Sequence, residues 1–195
     1  MSSQRHLIVL SMIFLGACAA PYTLVPAGVA RVADRAIVVQ PTSTWNRIPK
    51  TSDDVQWEES WTKNGPLLDT MAFIGGLPDG KALVRQKKKD DRQVPPFRAS
   101  MSPEDLVSMI ETNYRARGVA VFEVEVVEPA HFLQSTGIRL DYAFVHADKL
   151  PRKGRCVMTI IGDKLYLMML EGAASHYFDS VLPEFQQIAA SAALP

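Results

Sequence analysis

The chain has 195 residues, 47% of them hydrophobic, and its 21 basic and 21 acidic side chains leave no formal net charge at pH 7. That length suits one domain with a short extension, and the hydrophobic share is enough to build a core. A balance this neutral gives no basis for the concentrated basic face that nucleic-acid binding needs, so no nucleic-acid partner is expected.

The first segment, MSSQRH, carries a positive charge at Arg5 and runs into an apolar stretch, Leu7 to Ala17. A membrane-spanning helix needs about 20 apolar residues. The stretch is shorter than that and fits the apolar centre of a secretory signal, about 7–15 residues long. Its end, Leu15-Gly16-Ala17-Cys18, resembles the bacterial lipobox: a leucine, two small residues and a cysteine. The resemblance implies removal of residues 1–17 as a signal peptide and attachment of diacylglycerol to the Cys18 thiol, with the new amino terminus acylated as well. One acyl chain anchors marginally, whereas two or three hold a protein stably. Ala19, standing where an Asp commonly retains such proteins at the inner membrane, favours the outer membrane, facing the periplasm. The alternative is a soluble secreted protein with an incidental cysteine beside its cleavage site. With Cys18 lipidated, Cys156 has no intramolecular disulfide partner and reads as a small buried hydrophobe.

Residues 19–34, AAPYTLVPAGVARVAD, are small, Pro-containing and aperiodic, so 18–34 reads as lipidated cysteine plus tether and 35–195 as a single globular domain. AIVVQ is a short strand ending at Pro41. VQWEESWT, residues 55–62, alternates Val55, Trp57, Glu59 and Trp61 on one side, a strand of period two. After the turn NGP, LLDTMAFIGG returns as its hairpin partner. Leu77 to Phe97 is irregular and holds the charge run RQKKKDDR, read as a solvated loop. The first helix is signed by Ser102 as N-cap, Pro103 at the first helical position and acidic residues behind it. Its apolar stripe is Leu106, Val107, Ile110 and Tyr114, and Arg115, Arg117 and Gly118 end it. Four strands follow: VAVFEVEVVE, GIRLDYAFVHA, GRCVMTIIG and KLYLMMLEG, with turns at Pro129, at 149–154 and at Gly162-Asp163. Phe178, Val181, Leu182, Phe185, Ile188 and Ala189 recur at helical spacing, in a helix that Pro183 bends or divides. Strands, helix, strands, helix with hairpin connections make an α+β domain, an antiparallel sheet covered by helices.

Pro41 and Trp45 in Pro-x-x-x-Trp, then a hairpin, a helix, a meander and a terminal helix with FQQIAAS, resemble the PsbP-like superfamily, which includes bacterial lipoproteins of the DcrB type. That resemblance implies an α/β/α sandwich around a central antiparallel sheet and non-enzymatic accessory or binding roles. No catalytic residue carries over from it, and Trp45 reads as a structural anchor.

The residues themselves point to no catalytic chemistry. His131, His146 and His176 are the candidate ligand or metal-binding residues, but they are far apart and lack HxxxH or HxH spacing. Nucleophile elbow, P-loop and Rossmann glycine patterns do not occur, and no cofactor is expected. Arg139 and Asp141 share a strand face and read as an ion-pair network. The favoured reading is a membrane-anchored envelope lipoprotein, not an enzyme, whose domain contacts another envelope protein. The alternative is a small-ligand or metal-binding periplasmic domain, or a cryptic hydrolase, using a cleft beneath the 77–97 loop.

Overall fold

The computed structural model describes residues 22–52, 54–85 and 93–195. Cys18 with its leader, and the charge run beyond Arg85, lie outside the described residues. The elements in chain order are β1 (Thr23–Val25), β2 (Ala30–Val32), β3 (Ile37–Val39), β4 (Trp45–Arg47), β5 (Glu58–Thr62), β6 (Asp69–Pro78), α1 (Pro103–Ala116), β7 (Val121–Phe132), β8 (Ser135–Val145), β9 (Pro151–Ile161), β10 (Lys164–Ala173) and α2 (Tyr177–Ser191). Eight strands form one antiparallel sheet in the order β1-β4-β5-β6-β10-β9-β8-β7, and β2 pairs with β3 in a separate ribbon. The expected α+β class is met in sheet-dominated form, so the sandwich that the resemblance implied is only loosely drawn. Among the described residues no helix is long and apolar enough to cross a membrane.

The central strand β10 explains why KLYLMMLEG reads as almost continuously apolar: both of its faces are covered. Leu165 and Leu167 join the cluster beneath α1, while Met168 and Leu170 join the cluster beneath α2. The sequence signals at α1 are fulfilled. Ser102 accepts from the Asp105 backbone N–H at 3.2 Å and Asp105 accepts from Ser102 N–H at 3.0 Å, a reciprocal capping box. Leu106, Met109, Ile110 and Tyr114 then bury against Leu140, Tyr142 and Phe144 of β8. On the opposite face Phe178, Val181, Phe185 and Ile188 of α2 pack on Trp45, Trp61 and Phe73. Pro183 sits inside α2 without dividing it.

Three expectations need correction. The segment read as a tether supplies β1 and β2, whose Val25 and Val32 are core residues. The β2–β3 ribbon lies so close over β6 that a Cβ on Gly75 would come within 2.6 Å of the Ala36 Cβ. Trp57 and Trp61 do not share a face: the chain turns at 56–57, Trp57 packs toward the α1 side, and Trp61 enters the α2 cluster. Pro129 marks no turn. It lies within β7, an edge strand, where a missing N–H is tolerated, and the reversal comes at Leu133 and Gln134, both with positive φ. The Gly162-Asp163 turn forms as expected, with Gly162 at φ 63°. The described ends of the 77–97 loop are zipped together, Phe97 N–H donating to Lys81 O at 2.8 Å.

Candidate functional site

Helix α1 packs toward β7 and β8 and leaves the β5–β6–β10 part of the same face open. The result is a cleft of about 380 Å³. Ser60, Ala72, Ile74 and Met169 form its floor, and Ile110 and Asn113 of α1 form one wall. Leu83 and Val84, from the described part of the 77–97 loop, form another. A second lobe of about 210 Å³ shares Glu58, Ser60, Thr70 and Arg117 with the first and continues toward Ile48 and Pro49.

One end of the cleft is fixed by a chain of hydroxyls. Tyr142 is wholly buried across from Gly154 in the β8–β9 register, stacked on Phe122 at 5.0 Å and edge-on to Tyr114 at 5.3 Å. The two phenol oxygens lie 2.6 Å apart, and Tyr114 donates to the Glu171 carboxylate. Because Tyr114 spends its only proton on Glu171, the proton between the two rings comes from Tyr142. Burial, and then the negative charge of Glu171, push both phenols well above their ordinary pKa, so both stay protonated as donors.

Three polar groups of the cleft are not committed in this way. Asn113, 4% exposed, donates its amide to Met109 O at 2.8 Å, while its Oδ1 has no hydrogen-bond partner among the described residues. Asn113 is one turn from the end of α1, where helix carbonyls add negative potential. Arg117, the C-cap residue, extends from that end into the fields of Glu171 and Glu58. Among the described residues its guanidinium makes no hydrogen bond or ion pair. Glu58, half-buried on β5, likewise has no hydrogen-bond partner for its carboxylate among the described residues, and burial raises its pKa more than Arg117 lowers it. By contrast Arg152 is committed to Asp148 through bonds of 3.0 and 2.7 Å, which hold the Asp148 carboxyl down at about 2.

The raised pKa of Glu58 has a signed consequence. Below its unfolded value of 4.5 the carboxyl is protonated in both states and costs nothing. As pH rises from there through the folded value, the unfolded chain loses its proton first, and stability is lost. Glu58→Gln is therefore expected to raise the melting temperature at pH 7 and to leave it unchanged near pH 4, read by thermal melts at the two pH values.

Of the three candidate histidines only His146 lines the cleft, its ring edge-on to Phe144 at 5.6 Å. His131 is exposed on β7 and His176 is exposed at the start of α2. They do not converge, and among the described residues no three His, Cys, Asp or Glu side chains could together hold a metal ion. Cys156 is wholly buried, and burial pushes its thiol pKa far up, the inert reading made from the sequence. The ion-pair reading of Arg139 and Asp141 also holds: Arg139 meets Glu128 at 2.8 Å, and Arg155 grips Asp141 at 2.7 and 2.6 Å.

No protein-family model matches the chain, and no curated protein sequence matches it. Solved structures do. Cyanobacterial PsbP from Synechocystis superposes with a TM-score of 0.54 at 16% identity, over 92% of this chain and 96% of that one. The fold is PsbP-like. The Ran-binding protein Mog1p of Saccharomyces cerevisiae gives 0.52 at 8% identity, over 90% and 96% of the two chains. A Bacteroides thetaiotaomicron protein gives 0.49 at 6% identity, and there 88% of this chain spans 49% of the other. At these identities the likeness is one of fold, and the site must be read from its own residues.

Proposed function

We propose that this chain is a lipid-anchored protein of the bacterial cell envelope, held at the outer membrane through Cys18, whose domain is a non-catalytic binding module with the cleft as its ligand site. The observation that carries the binding reading is the cleft itself: concave, apolar along its floor, with a few fixed polar groups, the usual build of a small-ligand site. Tyr114 and Glu171 in its lining hold each other, with buried Tyr142 bonded to Tyr114 behind them. Concavity favours a small ligand over the protein contact expected from the sequence. The lipobox carries the anchoring. Because β1 begins at Thr23, residues 18–22 are the whole leash, which spans at most about 18 Å even fully extended. The domain then works close against the bilayer.

The test is the intact mass of the protein extracted from bacterial membranes, beside a Cys18→Ser variant. The expected result is a chain starting at Cys18 with added acyl mass, absent from the variant. An unmodified, freely soluble chain would overturn the anchoring.

A further inference from the structure

We infer that the cleft takes a small zwitterion with an apolar body, of the size of a free dipeptide. The inference rests on reading the cleft as a ligand site, and it comes from the polar groups that the fold leaves unspent there. Arg117 is a cation with paired N–H donors and, among the described residues, no hydrogen-bonded partner, the side chain whose geometry matches a carboxylate. Glu58 is a half-buried carboxylate without a hydrogen-bond donor among the described residues. Asn113 Oδ1 is a buried carbonyl without a donor among the described residues, although such groups are nearly always satisfied. One cation and two acceptors are the complement of a carboxylate and an ammonium group.

Competing ligand chemistries fit less well. An anion alone would satisfy Arg117 but leave Asn113 Oδ1 and Glu58 unpaired and add repulsion from Glu171. An amine alone would satisfy the two acceptors but compete with Arg117 for the same carboxylates. A zwitterion separates those charges and satisfies both sets. Beside these charges Ile74, Ile110, Leu83 and Val84 offer an apolar surface, and exposed Leu67 (76%) stands at the mouth. About 380 Å³, opening into a further lobe of about 210 Å³, holds two residues rather than one. The two acceptors sit on rigid elements, Glu58 on β5 and Asn113 on α1, and exposed Arg117 extends from the end of α1.

The experiment is calorimetric titration of the membrane-extracted protein in lipid nanodiscs with three probes: leucyl-leucine, its N-acetyl derivative lacking the ammonium, and its C-terminal amide lacking the carboxylate. Leucyl-leucine is expected to bind saturably, and each derivative about tenfold or more weakly than it, since each forfeits a charge-assisted contact. Glu58→Gln, the variant expected to fold at least as well as the parent, should weaken leucyl-leucine and spare the N-acetyl form. Arg117→Gln should weaken leucyl-leucine and spare the amide. Equal binding of all three probes, or loss in a variant that does not follow this pairing, overturns the zwitterion assignment. Native mass spectrometry separates the two levels of the reading. A protein that ignores all three probes but carries a co-purified adduct, lost in Asn113→Leu, overturns the ligand class and keeps the cleft as a site. A protein with neither binding nor adduct overturns both.

Discussion

Gly154→Ala is expected to destabilise the domain by about 3 kcal/mol, at the upper end of what overpacking usually does, and to loosen the cleft with it. Gly154 stands directly opposite Tyr142 across β8 and β9, and the Tyr142 ring occupies the space that a side chain at 154 would need. A Cβ there would come within 2.1 Å of the ring's Cζ and 2.2 Å of its Cε2. The ring has nowhere to retreat, because Phe122, Tyr114 and Phe144 surround it at centroid distances of 5.0, 5.3 and 5.9 Å. Moving it also breaks the 2.6 Å bond to Tyr114, the group that positions Glu171 at the cleft. Urea unfolding gives the stability, and the same substitution in a Tyr142→Ala background gives the cause. With the ring gone the alanine should cost little; an undiminished cost there would mean that the backbone, not the ring, requires glycine.

How much of this was legible depended on whether the signal was local. Ser102, Pro103 and the acidic first turn specify α1 because a cap is satisfied within a few residues, and Gly162-Asp163 specifies its hairpin for the same reason. β1 and β2 escaped because three-residue strands are too short to show a period; TLV and ARV become strands only through pairing with β4 and β3. Trp57 and Trp61 alternate correctly on paper, yet Glu58 N–H closes a turn on Val55 O and removes Trp57 from the strand. Pro129 misled because proline is a turn residue in most contexts but tolerable on the outer side of an edge strand.

A cleft beside the 77–97 loop was expected, but its polar lining was illegible for a different reason. Glu58, Arg117 and Glu171 come from β5, the end of α1 and β10, and only the fold brings them together. Each had an ordinary local explanation as a strand or helix-end charge. One clue was present: Glu171 continues the phase of Leu165, Leu167 and Met169, so a carboxylate occupies a position where the strand otherwise buries apolar groups. A charge in the apolar phase of a central strand needs a partner, and Tyr114 is that partner. The histidines drew notice by residue type, and only His146 proved to be in place.

Trp45→Ala is expected to have the largest effect of any single substitution considered, about 4 kcal/mol, in line with emptying a buried tryptophan site. The ring is wholly buried beside Trp61 at 6.3 Å, and Trp61 in turn meets Phe73 at 4.7 Å, so one cavity would open beneath most of α2. Trp45 also anchors a polar knot. Its Nε1 donates to Glu184 Oε1 at 3.1 Å, Ser43 donates to the same carboxylate at 2.7 Å, and Lys63 pairs with Glu184 while lying 5.1 Å over the indole ring. Trp45→Phe separates the two contributions: it keeps most of the apolar contact but deprives Glu184 of one donor, for about 1–2 kcal/mol. Burial alone would raise the Glu184 pKa, and the hydrogen bonds from Lys63, Ser43 and Trp45 more than offset it, so the folded value lies below the ordinary 4.5. The stability that this carboxylate contributes is therefore complete above pH 4.5 and is lost as pH falls through the folded value. Denaturant unfolding across that range should show the Trp45→Phe deficit shrinking in acid while the Trp45→Ala deficit persists, because a proton can neutralise Glu184 but cannot fill a cavity. A Trp45→Phe deficit that stayed constant with pH would place the whole contribution of Trp45 in its packing.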